Sequence, residues 1–246
     1  MADASPPKWH LAHVTWFFET FLVKPNVPDY VPFHPRFEYL FNSYYNGVGR
    51  PYPRAERGLL SRPTTREVLD YRSHVDRAML DLLSTRGDEP ELAFRTELGL
   101  HHEQQHQELF FTDMKYNLGN NPLHPLYVRG PVRLDESPVA PLEYVSFTGG
   151  IREIGFAGDG FHFDNEGPRH EVLLRDYALA NRPVTNGEFL EFVEDGGYLR
   201  SDLWLSDGWA SVNSEGIESP LYWYREGGEW YEYHLDGARP LRRSAP

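Results

Sequence analysis

Residues 101–108 read His101-His102-Glu103-Gln104-Gln105-His106-Gln107-Glu108. On a helix His102 and His106 stand at i and i+4, so both imidazoles project from one face a single turn apart, close enough to share one metal ion. Glu103 lies about 100° further round the helix and Glu108 about 120° from that face, so neither completes the site without distortion. The string also satisfies H-E-x-x-H, in which two histidines hold zinc and the glutamate serves as general base. The longer protease form would require Gly at 109 and His at 112, where this chain has Leu109 and Thr112. A polar helix face rich in Gln and His is the bland alternative. A third ligand has to come from another helix, and His10 and His13 in Lys8-Trp9-His10-Leu11-Ala12-His13 are both candidates, since a core-facing histidine is costly unless hydrogen-bonded or metallated. A third patch is Asn42-Ser43-Tyr44-Tyr45-Asn46, followed by Arg50 and Arg54. Paired tyrosines usually serve packing, but a phenol beside an oxygen-activating metal can supply a proton or an electron.

The elements that must position these residues divide the chain in two. Ser5 and Pro6 read as an N-cap and first-turn pair, opening an aromatic-rich helix over about Pro7 to Val23 that Pro25 ends. A Pro-rich loop leads to a shorter helix around Phe37 to Asn46, stopped by Gly47 and Gly49. Thr64 and Glu67 form a capping box, after which Val68, Tyr71, Val75, Ala78, Met79 and Leu82 recur at helical spacing. A third long helix spans about Glu91 to Leu118 and ends at Gly119. Three long helices and a shorter one predict a four-helix bundle over residues 1–118. Residues 119–143 carry five prolines without helical periodicity and read as a linker. Beyond residue 143 lie 14 of the 21 glycines and four of the six tryptophans, which favours short strands and structured loops. One helix is expected there, because Thr185 and Glu188 form a second capping box ahead of Phe189, Leu190, Phe192 and Val193. The fold class is thus multi-domain, an α domain followed by an α+β domain over residues 144–246.

Composition narrows the chemistry. The 246 residues carry 24 Lys+Arg against 37 Asp+Glu, a net charge of −13, which repels phosphate backbones and anionic lipid and argues against nucleic-acid or membrane partners. With no cysteine, disulfides, thiol nucleophiles, thiolate zinc sites and iron–sulfur clusters are all excluded, and any metal must sit on His, Asp or Glu. Neither a secretory signal nor an apolar run of membrane-spanning length is visible, since Glu19 and Lys24 interrupt the most hydrophobic stretch, and a cytoplasmic location is expected.

Taken in order, Ser5-Pro6-Pro7-Lys8-Trp9-His10-Leu11-Ala12-His13, the segment Phe41 to Asn46, and His102-Glu103-Gln104-Gln105-His106-Gln107-Glu108 resemble the EgtB-type sulfoxide synthases of ergothioneine biosynthesis. Residues 160–170, Pro183-Val184-Thr185-Asn186-Gly187-Glu188-Phe189, Asp195-Gly196-Gly197-Tyr198 and Trp204-Leu205-Ser206-Asp207-Gly208-Trp209 resemble the formylglycine-generating-enzyme-like domain with its C-type-lectin-like fold. The N-terminal bundle resembles a DinB-type domain. The resemblance implies a mononuclear non-haem iron(II) held by His13, His102 and His106, with His10 as a neighbour, and dioxygen as co-substrate. The implied reaction joins a thiol donor, cysteine or γ-glutamylcysteine, to the imidazole C2 of hercynine, the sulfur leaving as a sulfoxide. It assigns Tyr45, with Tyr44 beside it, to the catalytic phenol, Gln105 to the hercynine imidazole and Arg54 to the carboxylate of the thiol substrate, where a guanidinium offers a bidentate fork. Glu108 is implied as outer support for the ligand helix. The Tyr-Tyr-Asn and Trp-His-Leu-Ala-His forms of the motifs resemble the cysteine-using branch, and related ovothiol enzymes act on histidine itself. Two other readings stand beside this one: a zinc hydrolase with Glu103 as base, and a helical bundle joined to a lectin-like binding module in which metal serves structure alone. Family members carry a much longer second domain, so about half of it is expected to be missing beyond Pro246, leaving core faces of the lectin-like half uncovered.

Overall fold

In the computed structural model, residues 4–129 and 139–246 are described. They fall into two units, residues 1–118 and 119–246. The first is helical. Helix α1 (Pro7–Phe18) runs without a break into a π-helical turn (Glu19–Val23) and the short α2 (Lys24–Asn26), so the helical path continues through Pro25. Proline lacks an N–H and crowds the carbonyl four residues back. The wider turn just before it, where the Lys24 N–H bonds the Glu19 carbonyl, accommodates that loss. Ser5 is not the cap: Pro6 occupies the N-cap position, and the Ser5 hydroxyl accepts from Arg57 at 3.2 Å.

The helix expected over residues 37–46 is reduced to α3 (Phe37–Leu40). Beyond it the Asn42 side chain takes over the backbone, accepting from the Tyr45 N–H at 3.2 Å and donating to the carbonyls of Tyr45 and Gly49 at 3.2 and 3.0 Å. An asparagine that satisfies its own neighbours in this way offers the chain an alternative to the helical ladder. Helix α4 (Thr65–Arg86) opens on the Thr64–Glu67 capping box and buries Val68, Tyr71, Val75, Met79 and Leu82 along one stripe. Helix α5 (Pro90–Gly119) buries only Leu92, Gly99, His102 and Asp113. At Gly99 an added Cβ would meet the Phe18 ring at 2.6 Å, so the bare glycine lets α5 lie against the end of α1.

The core of this unit gathers Trp9, Trp16, Phe17, Leu22, Phe41, Val68, Tyr71 and their neighbours. Within it sits the carboxylate of Glu19, 1% exposed, which accepts from the Tyr30 hydroxyl at 2.8 Å and the Tyr71 hydroxyl at 2.6 Å. Burial and the carboxylate together push both phenols well above the usual tyrosine range, so they stay protonated as donors.

The second unit holds strands β1 (Tyr144–Phe147), β2 (Gly150–Ile154), β3 (His170–Leu174), β4 (Tyr177–Ala180), β5 (Trp223–Glu226), β6 (Glu229–His234) and β7 (Gly237–Pro240). They form antiparallel pairs β1–β4 and β2–β3 and a three-stranded sheet β5–β6–β7. Helix α6 (Asn186–Glu194) carries the expected Thr185–Glu188 capping box, braced by Arg182, whose guanidinium donates to Glu188 at 2.8 and 2.7 Å. A second helix, α7 (Ser206–Glu215), was not anticipated; it lacks a capping box, includes Gly208, and ends at Gly216 with a φ of 63°. Part of the supposed linker is held down, since the N–H groups of Tyr127 and Val128 both donate to the Leu235 carbonyl at 2.9 and 3.1 Å, while residues 130–138 of it lie outside the described residues. No helix among the described residues is long and apolar enough to cross a membrane.

Of the 18 buried hydrophobic residues among those described, 15 lie in the first unit and three, Leu190, Val212 and Tyr233, in the second. Every residue of β1, β2 and β4 is exposed on both faces. Brief proteolysis is therefore expected to cut within residues 144–246 well before residues 7–118, read by mass spectrometry of the fragments; equal protection of both would contradict the burial difference. In the first unit, Tyr71→Phe leaves the buried Glu19 carboxylate one donor short and is expected to lower stability by about 1–3 kcal/mol in urea unfolding followed by circular dichroism. An unchanged midpoint would remove that hydrogen bond from the core's support.

Candidate metal centre

Helix α1 presents Trp9, His13 and Trp16 at i, i+4 and i+7, and the three rings stack. The His13 imidazole lies parallel to Trp9 at 4.8 Å and 10° and to Trp16 at 5.5 Å and 14°, so its rotamer is locked between two indoles. The ring is fully buried, and its Nδ1 lies 2.6 Å from the Phe41 carbonyl. A carbonyl can only accept, so Nδ1 carries the hydrogen and Nε2 keeps its lone pair. Helix α5 brings His102 and His106 to the same place, with ring centroids 5.0 and 4.7 Å from His13 and 4.7 Å from each other. One ring nitrogen from each of His13, His102 and His106 lies within 4.8 Å of the others.

These nitrogens are in an unusual state for a protein interior. His13 Nε2 and both nitrogens of His102 are buried and find no hydrogen-bond partner among the described residues. Burial pushes His102 down to about 4 and, with the neighbouring His102, His10 and Arg57, pushes His106 down to about 3. His13 is held well below the ordinary 6.5, chiefly by burial and then by His106, against the opposing pull of the Phe41 carbonyl. All three imidazoles are therefore neutral at pH 7. Converging neutral imidazoles with buried, unpaired nitrogens, one already oriented by a backbone carbonyl, match what a divalent transition metal requires. An all-nitrogen set suits iron, zinc, copper and nickel alike.

One loop serves the site twice. Residues 41–45, held by Asn42, supply the Phe41 carbonyl to His13 and carry Tyr45, whose half-buried ring centroid lies 6.3 Å from His13 and 5.4 Å from Trp16. Burial, and then the adjacent Tyr44, raise the Tyr45 phenol above the usual tyrosine range. Tyr44 stacks on it at 5.0 Å and is itself 69% exposed. Arg54, in a 3-10 turn over Arg54–Leu59, is exposed, and its charge reaches His10. Gln105 is exposed on α5. An apolar cleft of about 290 Å³ opens beside His106, lined by His10, Leu11, Val14, Glu103, Gln107 and Phe110 among others, so Gln107 rather than Gln105 borders it. Glu108 is exposed, not packed behind the ligands as expected of an outer support. Glu103 is engaged elsewhere, accepting from Arg72 at 3.1 Å, which takes from it the free carboxylate a zinc hydrolase needs.

Sequence reasoning missed Arg57. It is 4% exposed, its guanidinium sits 3.6 Å over the Trp9 ring, and it donates to the hydroxyls of Ser5 and Ser43 at 3.2 and 2.9 Å. It thus ties the start of α1 to the loop that carries Tyr45, and its charge helps keep the histidines neutral. The only sequence signal was the paired serines at 5 and 43, which carry no spacing rule.

Residues 133–241 match the sulfatase-modifying factor enzyme 1-like domain. Over 236 residues the chain is 30% identical to the hercynine oxygenase of Mycolicibacterium smegmatis, covering 94% of this chain and 52% of that protein. It is 30% identical over 227 residues to the hercynine oxygenase of Mycobacterium tuberculosis, covering 91% and 51%, and 27% identical over 240 residues to that of Mycolicibacterium thermoresistibile, covering 96% and 51%. Fold, site and similarity define the class, a three-histidine helical unit joined to a sulfatase-modifying-factor-like module. The similarity supports an EgtB-type protein, and the chain spans about half the length of the curated relatives it matches.

The unfolded chain takes up protons on these histidines near the ordinary 6.5, whereas folded His102 and His106 resist until about 4 and 3. Between those limits the unfolded state binds more protons, so the stability of the metal-free protein falls as pH is lowered. The thermal midpoint without metal is expected to drop steadily from pH 6.5 to pH 5, before most carboxylates titrate. A midpoint that stays level over that interval would contradict the neutral state of the cluster.

Proposed function

We propose that the chain carries the metal centre of an iron(II)- and dioxygen-dependent sulfoxide synthase that joins a thiol, cysteine or γ-glutamylcysteine, to the imidazole C2 of hercynine. The observation that carries the reading is the buried cluster His13, His102 and His106, with ring nitrogens within 4.8 Å, in a chain similar along nearly its whole length to hercynine oxygenases. Its helical unit is read as a DinB-like four-helix bundle, with α1, α4 and α5 as long helices and the 37–40 turn in the place of the fourth.

Fe(II), held by His13, His102 and His106, would supply the redox chemistry that couples a thiol to dioxygen. The atoms balance if the thiol hydrogen and the C2 hydrogen leave as water with one oxygen atom, the other remaining on sulfur. This chain's residues then divide the remaining work. His13, fixed by the two indoles and the Phe41 carbonyl, holds its ring in place without adjustment. Tyr45, protonated at neutral pH and beside His13, donates a proton from its phenol, with Tyr44 stacked on it. Gln105 for the hercynine imidazole and Arg54 for the carboxylate of the thiol substrate are carried by the motif resemblance. The occupied Glu103 weighs against the hydrolase reading.

Aerobic incubation of the Fe(II)-loaded chain with hercynine and cysteine, with γ-glutamylcysteine in parallel, is expected to yield a sulfoxide conjugate by mass spectrometry that the His13→Ala protein does not form. Tyr45→Phe is expected to keep its iron while turnover falls by about 100-fold or more. Wild-type protein that binds iron and forms no conjugate would overturn the activity for this chain, and unchanged turnover in Tyr45→Phe would remove the phenol from the mechanism.

A further inference from the structure

The three ligand histidines do not have equivalent surroundings. His13 gives its Nδ1 hydrogen to a backbone carbonyl, and both nitrogens of His102 are unpaired among the described residues. His106 instead meets another histidine: its Nδ1 lies 3.0 Å from Nδ1 of His10, and the two rings approach at 5.2 Å and 61°. On the far side of His10, its Nε2 lies 3.5 Å from Asp113 Oδ2. His10 and Asp113 are 8% and 7% exposed, so this row is shut away from water. It also follows from helix geometry, since Asp113 is two turns beyond His106 on the inner face of α5, and His10 is one turn before His13 on α1.

Donor and acceptor chemistry assigns the hydrogens of the row, although His10 Nε2 makes no hydrogen bond among the described residues. A neutral imidazole has one N–H, and two facing nitrogens bond only if one donates and the other accepts. The carboxylate of Asp113 can only accept, so it holds the His10 hydrogen at Nε2; at 3.5 Å the attraction is that of a charge for an N–H dipole rather than a tight hydrogen bond. Nδ1 of His10 is then the acceptor, the hydrogen between the rings belongs to His106 Nδ1, and His106 Nε2 is left with its lone pair. Without an acceptor at His10, His106 would be free to take the other tautomer and lose its lone pair at Nε2.

We propose that His10 and Asp113 are positioning residues that fix the tautomer and ring orientation of His106 and make it the most electron-rich of the three ligands, a carboxylate–histidine–histidine relay unlike the carbonyl that serves His13. The inference rests on reading His13, His102 and His106 as a metal site. It assigns a role to His10, which the ligand set leaves aside, and puts Asp113 in the supporting place that the sequence offered to Glu108.

Co(II) is a probe whose visible absorption bands report the ligand field without turnover. Titrated into the metal-free 246-residue chain, it is expected to bind His10→Phe about 10- to 100-fold more weakly than wild type and with shifted bands, the range found for outer-shell partners of metal-bound histidines. His10→Asn places an amide oxygen close to where Nδ1 stood, so it accepts from His106 without help from Asp113. It is expected to restore affinity to within a few-fold and to make the protein insensitive to Asp113→Asn, a change that alone weakens Co(II) binding about 10-fold in the wild-type background. Wild-type affinity and bands in His10→Phe, or equal impairment in His10→Asn and His10→Phe, would overturn the relay. Asp113→Asn carries the test if His10→Phe does not fold, which metal-free melting curves decide; wild-type affinity and bands in Asp113→Asn would overturn the relay. Wild-type protein that takes up no Co(II) would overturn the metal reading and the relay with it.

Discussion

The first unit is organised around the burial of polar ring nitrogens. A buried nitrogen without a partner costs on the order of 1–3 kcal/mol, and His13 and His102 together expose three such atoms to a dry interior. Such a cost persists only where neighbouring elements leave the rings no escape. Trp9 and Trp16 clamp His13 from both sides, Phe17 packs on His102 at 4.9 Å, and the Phe41 carbonyl fixes the one hydrogen His13 has. The aromatic richness of α1 thus serves two ends at once, closing the core and removing the rotamers by which the imidazoles could reach water.

Charge is arranged to the same end. In a chain of net charge −13, no carboxylate among the described residues pairs with His13, His102 or His106, the nearest ion pair being that of Asp113 with His10, while the buried Arg57 lies over Trp9. Burial and that nearby cation both disfavour the imidazolium at His13 and His106, so these imidazoles are neutral without any help from a bound ion. Glu19, the other deeply buried carboxylate of the unit, is satisfied by two phenols instead of a cation. Its place at the start of the π-helical turn explains why the most hydrophobic stretch of the sequence contains a glutamate, a residue that reads as an interruption until Tyr30 and Tyr71 are seen to face it.

What the sequence revealed was what it encodes locally. Both capping boxes formed where Thr64–Glu67 and Thr185–Glu188 placed them, since each needs only three residues of chain, and the stripe of α4 follows directly from its period. The i,i+4 pair His102 and His106 was legible for the same reason. The lost end of the 37–46 helix was not, because Asn42 decides it through side-chain bonds whose partners, Tyr45 and Gly49, are visible only once the loop is folded. The choice between His10 and His13 turns on Phe41 and Asp113, and Arg57 on Ser5 and Ser43, all of them contacts between elements distant in sequence. Glu103 fits a sequence pattern, but its carboxylate is taken up by Arg72 of another helix, a partner the pattern does not contain.

The two units differ in how far each can account for its own stability. The helical unit buries its aromatic stripe and its site together, and the Phe41 carbonyl that orients His13 and the His10 ring that faces His106 both lie within residues 1–118. Among the described residues the second unit builds its strands as two pairs and one three-stranded sheet, and places Val145, Phe147, Leu173 and Leu179 in the open. Two-stranded pairs are marginal in water unless something packs on them. Its order therefore rests on turns, caps and the Arg182–Glu188 brace more than on a core. On the proposed reading, metal affinity belongs to the helical unit, and it should survive changes to the sheets that would alter any property depending on both.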